Sequence, residues 1–203
     1  MADPRPQTLS MIGRQPLSET VVRVLTEDDW SAYRALRLAG LQESPDAFVR
    51  SYAEEAAYSE ECWRSRMRRA SRLLAERHGV PRGIVSCAVA DEDPASADVY
   101  GLWVDPATRQ AGVAWQLMDA VVRLATAQSQ TQLYYWVGTE NTRAIAFAIN
   151  FGFRPSPERR PARIQRAEFG EEEIAMVLSV GSDPAATPNH TMTSFGSQSG
   201  PSI

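Results

Sequence analysis

The 203-residue chain contains no lysine, so all 21 of its basic residues are arginines. That bias is compositional and implies no function by itself. Cysteine is scarce as well: Cys62 and Cys87 are far apart and lack a paired spacing, which excludes a disulfide framework and a cysteine-based metal motif. A reduced, cytoplasmic setting is expected. With only His78 and His190, a histidine-rich metal site or a Ser-His-Asp triad finds no support, and no metal is expected. No apolar run approaches the length needed to span a bilayer, and the N-terminus lacks the basic segment and apolar core of a signal peptide. Membrane association is not expected. A surplus of basic charge is missing too, since the formal net charge is -4, which argues against nucleic acid as a partner. Arg64, Arg66, Arg68, Arg69 and Arg72 do crowd one stretch, but Glu54, Glu55, Glu60 and Glu61 precede them, and the pattern reads as a solvated face of mixed charge.

The ends are poor in structure-forming residues. Pro4, Pro6, Gly13 and Pro16 interrupt residues 1–18, and after Val180 the chain is dominated by Gly, Ser, Pro and Thr, so residues 1–18 and 181–203 read as mobile segments around one domain at 19–180. Within it, Val21–Leu25 reads as a strand and Thr26-Glu-Asp-Asp29 as the start of a helix running to about Leu41. Pro45–Phe48 opens an irregular connection, and Ser59 caps a second helix that reaches about Ala70. Strands at 72–77 and 83–90 join through His78–Arg82 as a hairpin, and a third strand covers 97–104. Apolar positions 113, 117, 121 and 125, with 114, 118 and 122, mark one buried helix stripe. Leu133–Val137 is a strand covered on both faces, Thr142–Asn150 a short helix stopped by Gly152, and 171–180 a last strand. The order predicts an α/β fold of the α+β type, a mixed sheet with helices on both faces and a strand-helix-parallel strand crossover between the strands at 97–104 and 133–137.

The junction Val99–Ala114 is the chemically suggestive stretch. A strand ends at Asp105-Pro106, a short loop carries Arg109-Gln-Ala-Gly112, and a helix begins at Val113. Successive amides at a helix N-terminus, with a glycine that lets the main chain come close, suit a pyrophosphate. The loop alone fits a tight turn equally well.

The string Leu102-Trp-Val-Asp-Pro-Ala-Thr-Arg-Gln-Ala-Gly-Val-Ala114, with Asn141-Thr-Arg-Ala-Ile-Ala-Phe147 and Phe151-Gly-Phe153, resembles the GNAT (general-control-nonderepressible-related N-acetyltransferase) superfamily. Arg109, Gly112 and Ala114 match its acyl-CoA loop, Arg/Gln-x-x-Gly-x-Gly/Ala, in order and spacing. The resemblance covers about residues 20–180 and implies a single-domain, mostly antiparallel mixed sheet whose central strand pair splays apart. It implies acetyl-CoA as co-substrate, held by the backbone of Arg109, Gln110, Ala111, Gly112, Val113 and Ala114. Main-chain groups of Trp103 and Val104 would pair with pantetheine, and Asn141 would contact the pantetheine arm or an ordered water. Phe147 lies on the same cofactor side, although Trp103, Trp136 and Phe147 all sit in apolar runs that suit packing.

Asp98 stands where the histone acetyltransferase branch of the family carries a glutamate, and is the candidate base that takes a proton from an incoming ammonium. An ordinary acid at the start of a strand is the alternative. One departure is plain: many members place a tyrosine just after the position of Phe147 to protonate the CoA sulfur, and here Ala148 stands there. Tyr134, Tyr135, Ser86 or solvent are left as proton sources. The implied activity is direct transfer of acetyl to a primary amine, small or on a peptide or protein. A non-catalytic acyl-CoA-binding or partner-binding module is the rival reading. Acceptor choice in the family rests on the first two helices and the loop between them, where Tyr33, Phe48, Tyr52 and Glu54 or Glu55 would line the site, the acids forming either an acidic rim that favours a cation or a solvated helix face. Whether the chain forms a homodimer stays open.

Overall fold

The computed structural model describes residues 20–91, 93–162 and 172–181. The segments expected to be mobile, apart from Gly181, lie outside these described residues. The elements follow as β1 (Thr20–Val24), α1 (Trp30–Glu43), α2 (Tyr52–Ala56), α3 (Glu60–Arg69), β2 (Ser71–Arg77), β3 (Val80–Val89), β4 (Ser96–Val104), α4 (Val113–Ala127), β5 (Gln132–Gly138), α5 (Thr142–Phe151), β6 (Arg154–Pro161) and β7 (Glu172–Ser179). Among the described residues the strands form one seven-stranded sheet in the order β1-β2-β3-β4-β5-β7-β6. Pairing is antiparallel at β1–β2, β2–β3, β5–β7 and β6–β7 and parallel at β4–β5, as expected of a mostly antiparallel mixed sheet.

The chain divides into two compact units, one running through Cys87 and including Gly101–Val121, the other made of Ala88–Tyr100 and the chain from Val122. In the first, Leu74 pairs with Ile84 across β2 and β3, and both join the core built by Tyr33, Leu38 and Leu41 of α1 and Trp63 and Met67 of α3. Side chains alternate across a strand, so the next residue, Gly83, faces the other way. There a Cβ would lie 3.0 Å from Leu117 Cδ1 and 3.2 Å from Val113 Cγ1, which puts α4 against the opposite face. Helices thus cover both faces of this part of the sheet.

In the second unit, β4 and β5 pair only from Ser96↔Gln132 to Val99↔Tyr135, although β4 continues to Val104 and β5 to Gly138. Ala97 and Val99 are buried, while Asp98 between them is half-buried on the other face. The core here holds Leu133, Ala148, Phe153, Ala175 and Met176, with the rings of Tyr135 and Phe153 meeting edge to face at 6.1 Å.

Two elements depart from the sequence reading. Residues 52–56, expected to be irregular, form α2, because Ser51 and Glu54 make a capping box: Glu54 N donates to Ser51 Oγ at 3.3 Å and Ser51 N to Glu54 Oε2 at 2.9 Å. Residues 154–161 form the edge strand β6, unforeseen because Pro155 and Pro157 and many charges break the strand pattern. An edge tolerates proline, and the register of β6 shifts between Pro155 and Arg159.

The arginine cluster also differs in part from the expected solvated face. Arg64 and Arg68 do pair outward, with Asp28 at 2.9 Å and Glu61 at 2.8 Å. Arg72, however, is only 5% exposed, and Arg66 turns inward to Glu55 at 3.2 Å. The register explains this: α3 ends at Arg69 and β2 enters the sheet at once, carrying Arg72 under the helices.

Candidate functional site

The loop between β4 and α4 is held by its own short bonds. Asp105 Oδ1 accepts from Ala107 N at 2.9 Å and caps a turn of 3-10 helix at Pro106–Thr108. Arg109 N then donates to Pro106 O at 3.3 Å and Ala111 N to Thr108 O at 3.2 Å. Gln110 and Gly112 both lie in the left-handed region, at φ 71° and 78°. Gly112 adopts this without the cost a Cβ would add, and nothing stands within 4 Å of where that Cβ would be. The helix opens with Gln116 N donating to Gly112 O at 3.0 Å.

This arithmetic leaves the amides of Gln110, Gly112, Val113 and Ala114 with no backbone partner among the described residues. Gln110, Ala111 and Gly112 are exposed. The positive end of the helix dipole and a set of donors therefore face outward at one place, an arrangement that favours an anion.

The Arg109 side chain is engaged elsewhere. Its Nη2 donates to Glu43 Oε2 at 2.6 Å and its Nε to Val104 O at 3.2 Å. Glu43 Oε2 also accepts from Trp103 Nε1 at 3.2 Å and from the neighbouring Ser44 hydroxyl. The Ser44 hydrogen bond first, then that of Arg109, hold the Glu43 carboxyl down at about 2. Arg109 thus pins the loop, and Trp103, which is 7% exposed, packs in the core as its apolar run predicted.

In the second unit, Asn141 caps α5, its Oδ1 accepting from Ala144 N at 3.0 Å. Phe147 is half-buried, with its ring 6.1 Å from that of Phe151. Ala148 is fully buried and offers no hydroxyl. Asp98 stands opposite Tyr134 in the parallel ladder. Burial first, then the charges of Glu158, Asp93 and Asp98, raise the Tyr134 hydroxyl above its ordinary value, and it donates to Gln132 Oε1 at 2.9 Å. Burial pushes Tyr135 up to about 12, and Ser86 is only 2% exposed. None of the three is well suited to deliver a proton.

The acidic acceptor rim expected around Tyr33, Phe48, Tyr52 and Glu54 or Glu55 is not what the chain forms. Tyr33 and Phe48 are core residues, Glu54 serves the capping box, and Glu55 is fully buried between Arg37 and Arg66. Only Tyr52 is exposed. Sequence spacing alone could not show that the carboxylate of Glu55 turns inward. Sequence reasoning also passed over Gly101, whose φ of 65° in mid-strand kinks β4. A glycine inside a strand run is the signal for such a kink.

The seven-stranded mixed sheet with its strand-loop-helix junction has counterparts among known proteins. The acetyltransferase (GNAT) family profile matches residues 31–153, and the chain belongs to that family. A search of curated proteins gave no match. Similar solved structures include an N-acetyltransferase from Staphylococcus aureus Mu50, with TM-score 0.63, 16% identity, and coverage of 80% of this chain and 99% of that one. The yncA protein of Salmonella typhimurium, solved with its cofactor acetyl-CoA, gives TM-score 0.64 at 16% identity over 85% of this chain and 99% of that one. A ribosomal-protein-alanine N-acetyltransferase from Brucella melitensis gives 0.64 at 19% identity over 78% and 99%. At these identities the likeness is one of fold. Among the described residues no helix is long and apolar enough to cross a membrane.

Proposed function

We propose that the protein is an acetyl-CoA-dependent N-acetyltransferase that passes the acetyl group directly to a primary amine in a ternary complex. The reading rests on one observation above all: the amides of Gln110, Gly112, Val113 and Ala114 at the head of α4 have no backbone partner among the described residues, Gln110 and Gly112 are exposed, and the loop is pinned by Arg109. They suit the pyrophosphate of CoA, with the backbone of Arg109 and Ala111 shaping the turn. By family resemblance Trp103 and Val104 lend main-chain groups to pantetheine, and Asn141 and Phe147 belong to the cofactor side. The catalytic domain runs from about residue 19 to 180, and two cysteines, Cys62 and Cys87, that form no disulfide suit the cytoplasm.

In the transfer, the amine lone pair attacks the thioester carbonyl carbon, the C–N bond forms, and the C–S bond breaks with the electron pair leaving on sulfur. An incoming ammonium must first lose a proton, and Asp98 takes it directly or through a water. The nitrogen, which carries an extra proton once the C–N bond has formed, loses it to solvent as the amide forms, and the thiolate takes its proton from solvent, since position 148 offers none and Tyr134 and Tyr135 are weakened as acids. The protein's main contribution is alignment of amine and thioester. Acceptors are amine-bearing small molecules or peptide and protein amines.

Acetyl-CoA at millimolar concentration should raise the melting temperature, and calorimetry should register binding. Absence of both would overturn the cofactor assignment. The second reading, an acyl-CoA-binding or partner-binding module without turnover, is favoured by Ala148. Release of free thiol from acetyl-CoA with any member of an amine panel supports the enzyme, and binding without thiol release across the panel supports the module.

A further inference from the structure

Which amides of the loop between β4 and α4 remain for an anion depends on which are used within it. Ala107 N donates to Asp105 Oδ1 at 2.9 Å, Thr108 N to Asp105 O at 2.9 Å, Arg109 N to Pro106 O at 3.3 Å and Ala111 N to Thr108 O at 3.2 Å. Two of these four bonds end on Asp105, and its main-chain oxygen also accepts the Thr108 hydroxyl at 3.1 Å. The placement of Asp105 therefore sorts the amides that turn inward from those of Gln110, Gly112, Val113 and Ala114.

Asp105 is itself held from outside the loop, by the neighbouring strand β3. Its N donates to Arg82 O at 2.8 Å, and its Oδ2 accepts from Arg82 Nη1 at 2.5 Å, so one residue fixes both its main chain and its carboxylate. The two carboxylate oxygens have separate tasks: Oδ1 caps the turn, and Oδ2 meets the guanidinium. The Ala107 amide first, and then Arg82, hold this carboxyl below its ordinary value, so it is ionised at neutral pH. An ionised carboxylate at the foot of an anion loop would repel a pyrophosphate, and the Arg82 charge offsets it where it stands. The base is firm as well. A Cβ on the next residue of β3, Gly83, would stand 3.0 Å from Trp103 O, 3.0 Å from Leu117 Cδ1 and 3.2 Å from Val113 Cγ1, so β3 lies close against the end of β4 and the head of α4.

We infer that Arg82 is a positioning residue for the pyrophosphate cradle: through Asp105 it sets the turns that leave the outer amides to the ligand, and it cancels the one carboxylate that those turns require. The inference rests on the acetyl-CoA reading of the loop and adds to it a residue of β3 that the loop motif does not contain.

The test measures CoA and acetyl-CoA affinity by calorimetry in Arg82→Gln, Asp105→Asn and the double variant. Arg82→Gln leaves the Asp105 carboxylate without this counter-charge and should weaken CoA binding about threefold or more, the size of a partly exposed ion pair. Asp105→Asn sets an amide donor against the guanidinium and should weaken it too. The double variant puts an amide pair in place of the ion pair, keeps an oxygen for Ala107 N, and should bind CoA more tightly than either single variant. With an amine that is turned over, the loss in Arg82→Gln should appear in the KM for acetyl-CoA rather than in kcat. Unchanged affinity in Arg82→Gln, a loss confined to kcat, or a double variant in which the two losses add would overturn the role of Arg82. If the unsubstituted protein binds neither CoA nor acetyl-CoA, the cofactor reading fails, and amide hydrogen exchange decides the positioning alone. Faster exchange at Ala107, Thr108 and Ala111 in Arg82→Gln, slowed again in the double variant, supports it; unchanged exchange there overturns it.

Discussion

Glu43 and Arg109, 66 residues apart in the chain, are joined by a 2.6 Å ion pair between the last residue of α1 and the first of the anion loop. Because Glu43 also receives Trp103 Nε1, one carboxylate ties the loop to the helix and to the strand before it. Glu43→Ala should therefore loosen the loop without touching a ligand. The pair is partly exposed, so an effect of about 0.5–1.5 kcal/mol is expected, or roughly threefold to tenfold weaker acetyl-CoA binding by calorimetry. Unchanged affinity would mean that the turns at Thr108 and Ala111 hold the loop unaided.

The same carboxylate sets an acid limit. Its folded value, about 2, lies below the ordinary 4.5, so its stabilising effect is complete above the ordinary value and is lost as pH falls toward 2. Asp29 and Asp105 shift the same way, held first by the backbone amides of Thr26 and Ala107, and then by Arg23 and Arg82. A melting curve series should be flat from neutral pH to about 5 and fall steeply below about 4.5. In Glu43→Gln the fall should be shallower. An identical acid profile for that variant would remove Glu43 from the transition.

Removing Glu55 should be far more damaging than removing an exposed acid. Glu55→Ala leaves the buried Arg37 and the half-buried Arg66 without this counter-charge, which costs about 3–5 kcal/mol and on the order of 10 °C in melting temperature for a chain of this size. Glu61→Ala, which removes one of two carboxylates paired with the exposed Arg68, should leave the melting temperature unchanged within error. Similar shifts for the two would contradict the buried network.

Asp98→Asn should slow thiol release chiefly at pH values where the acceptor amine is still protonated, and converge with the unsubstituted enzyme where the amine deprotonates itself. Rates measured from about pH 6 to 10 separate the outcomes. A profile that does not change would leave Asp98 as an ordinary strand residue facing Tyr134.

Much of this architecture was legible because its signals are local. The stripe from Val113 to Ala125 and the strand at β5 depend on neighbours a few residues away, and both appear where expected, although β5, read as covered on both faces, alternates buried and half-buried residues. The turns between β4 and α4 were readable for the same reason, since they close within the loop itself. What escaped depends on distant partners. β6 is a strand because β7 supplies an edge, despite Pro155 and Pro157. Arg66 and Glu55 are 11 residues apart and look like surface charges until three elements fold over them. Gly101, with its φ of 65° inside a strand run, gave a local hint that the sequence alone left unread.

Every cation in the ion pairs described above is a guanidinium, and no lysine exists among the 203 residues to take its place. Guanidinium groups keep their proton throughout the working pH range and are not acceptors for an acyl group, whereas lysine amines are. A protein built this way can hold a reactive thioester without a side-chain amine of its own to consume it. Self-modification at side-chain nitrogen is closed off, and any 42-dalton gain (about one acetyl) seen on the intact protein must lie at a terminal amine, a hydroxyl or a thiol. The chain is thereby a clean background against which its true acceptor can be recognised by mass.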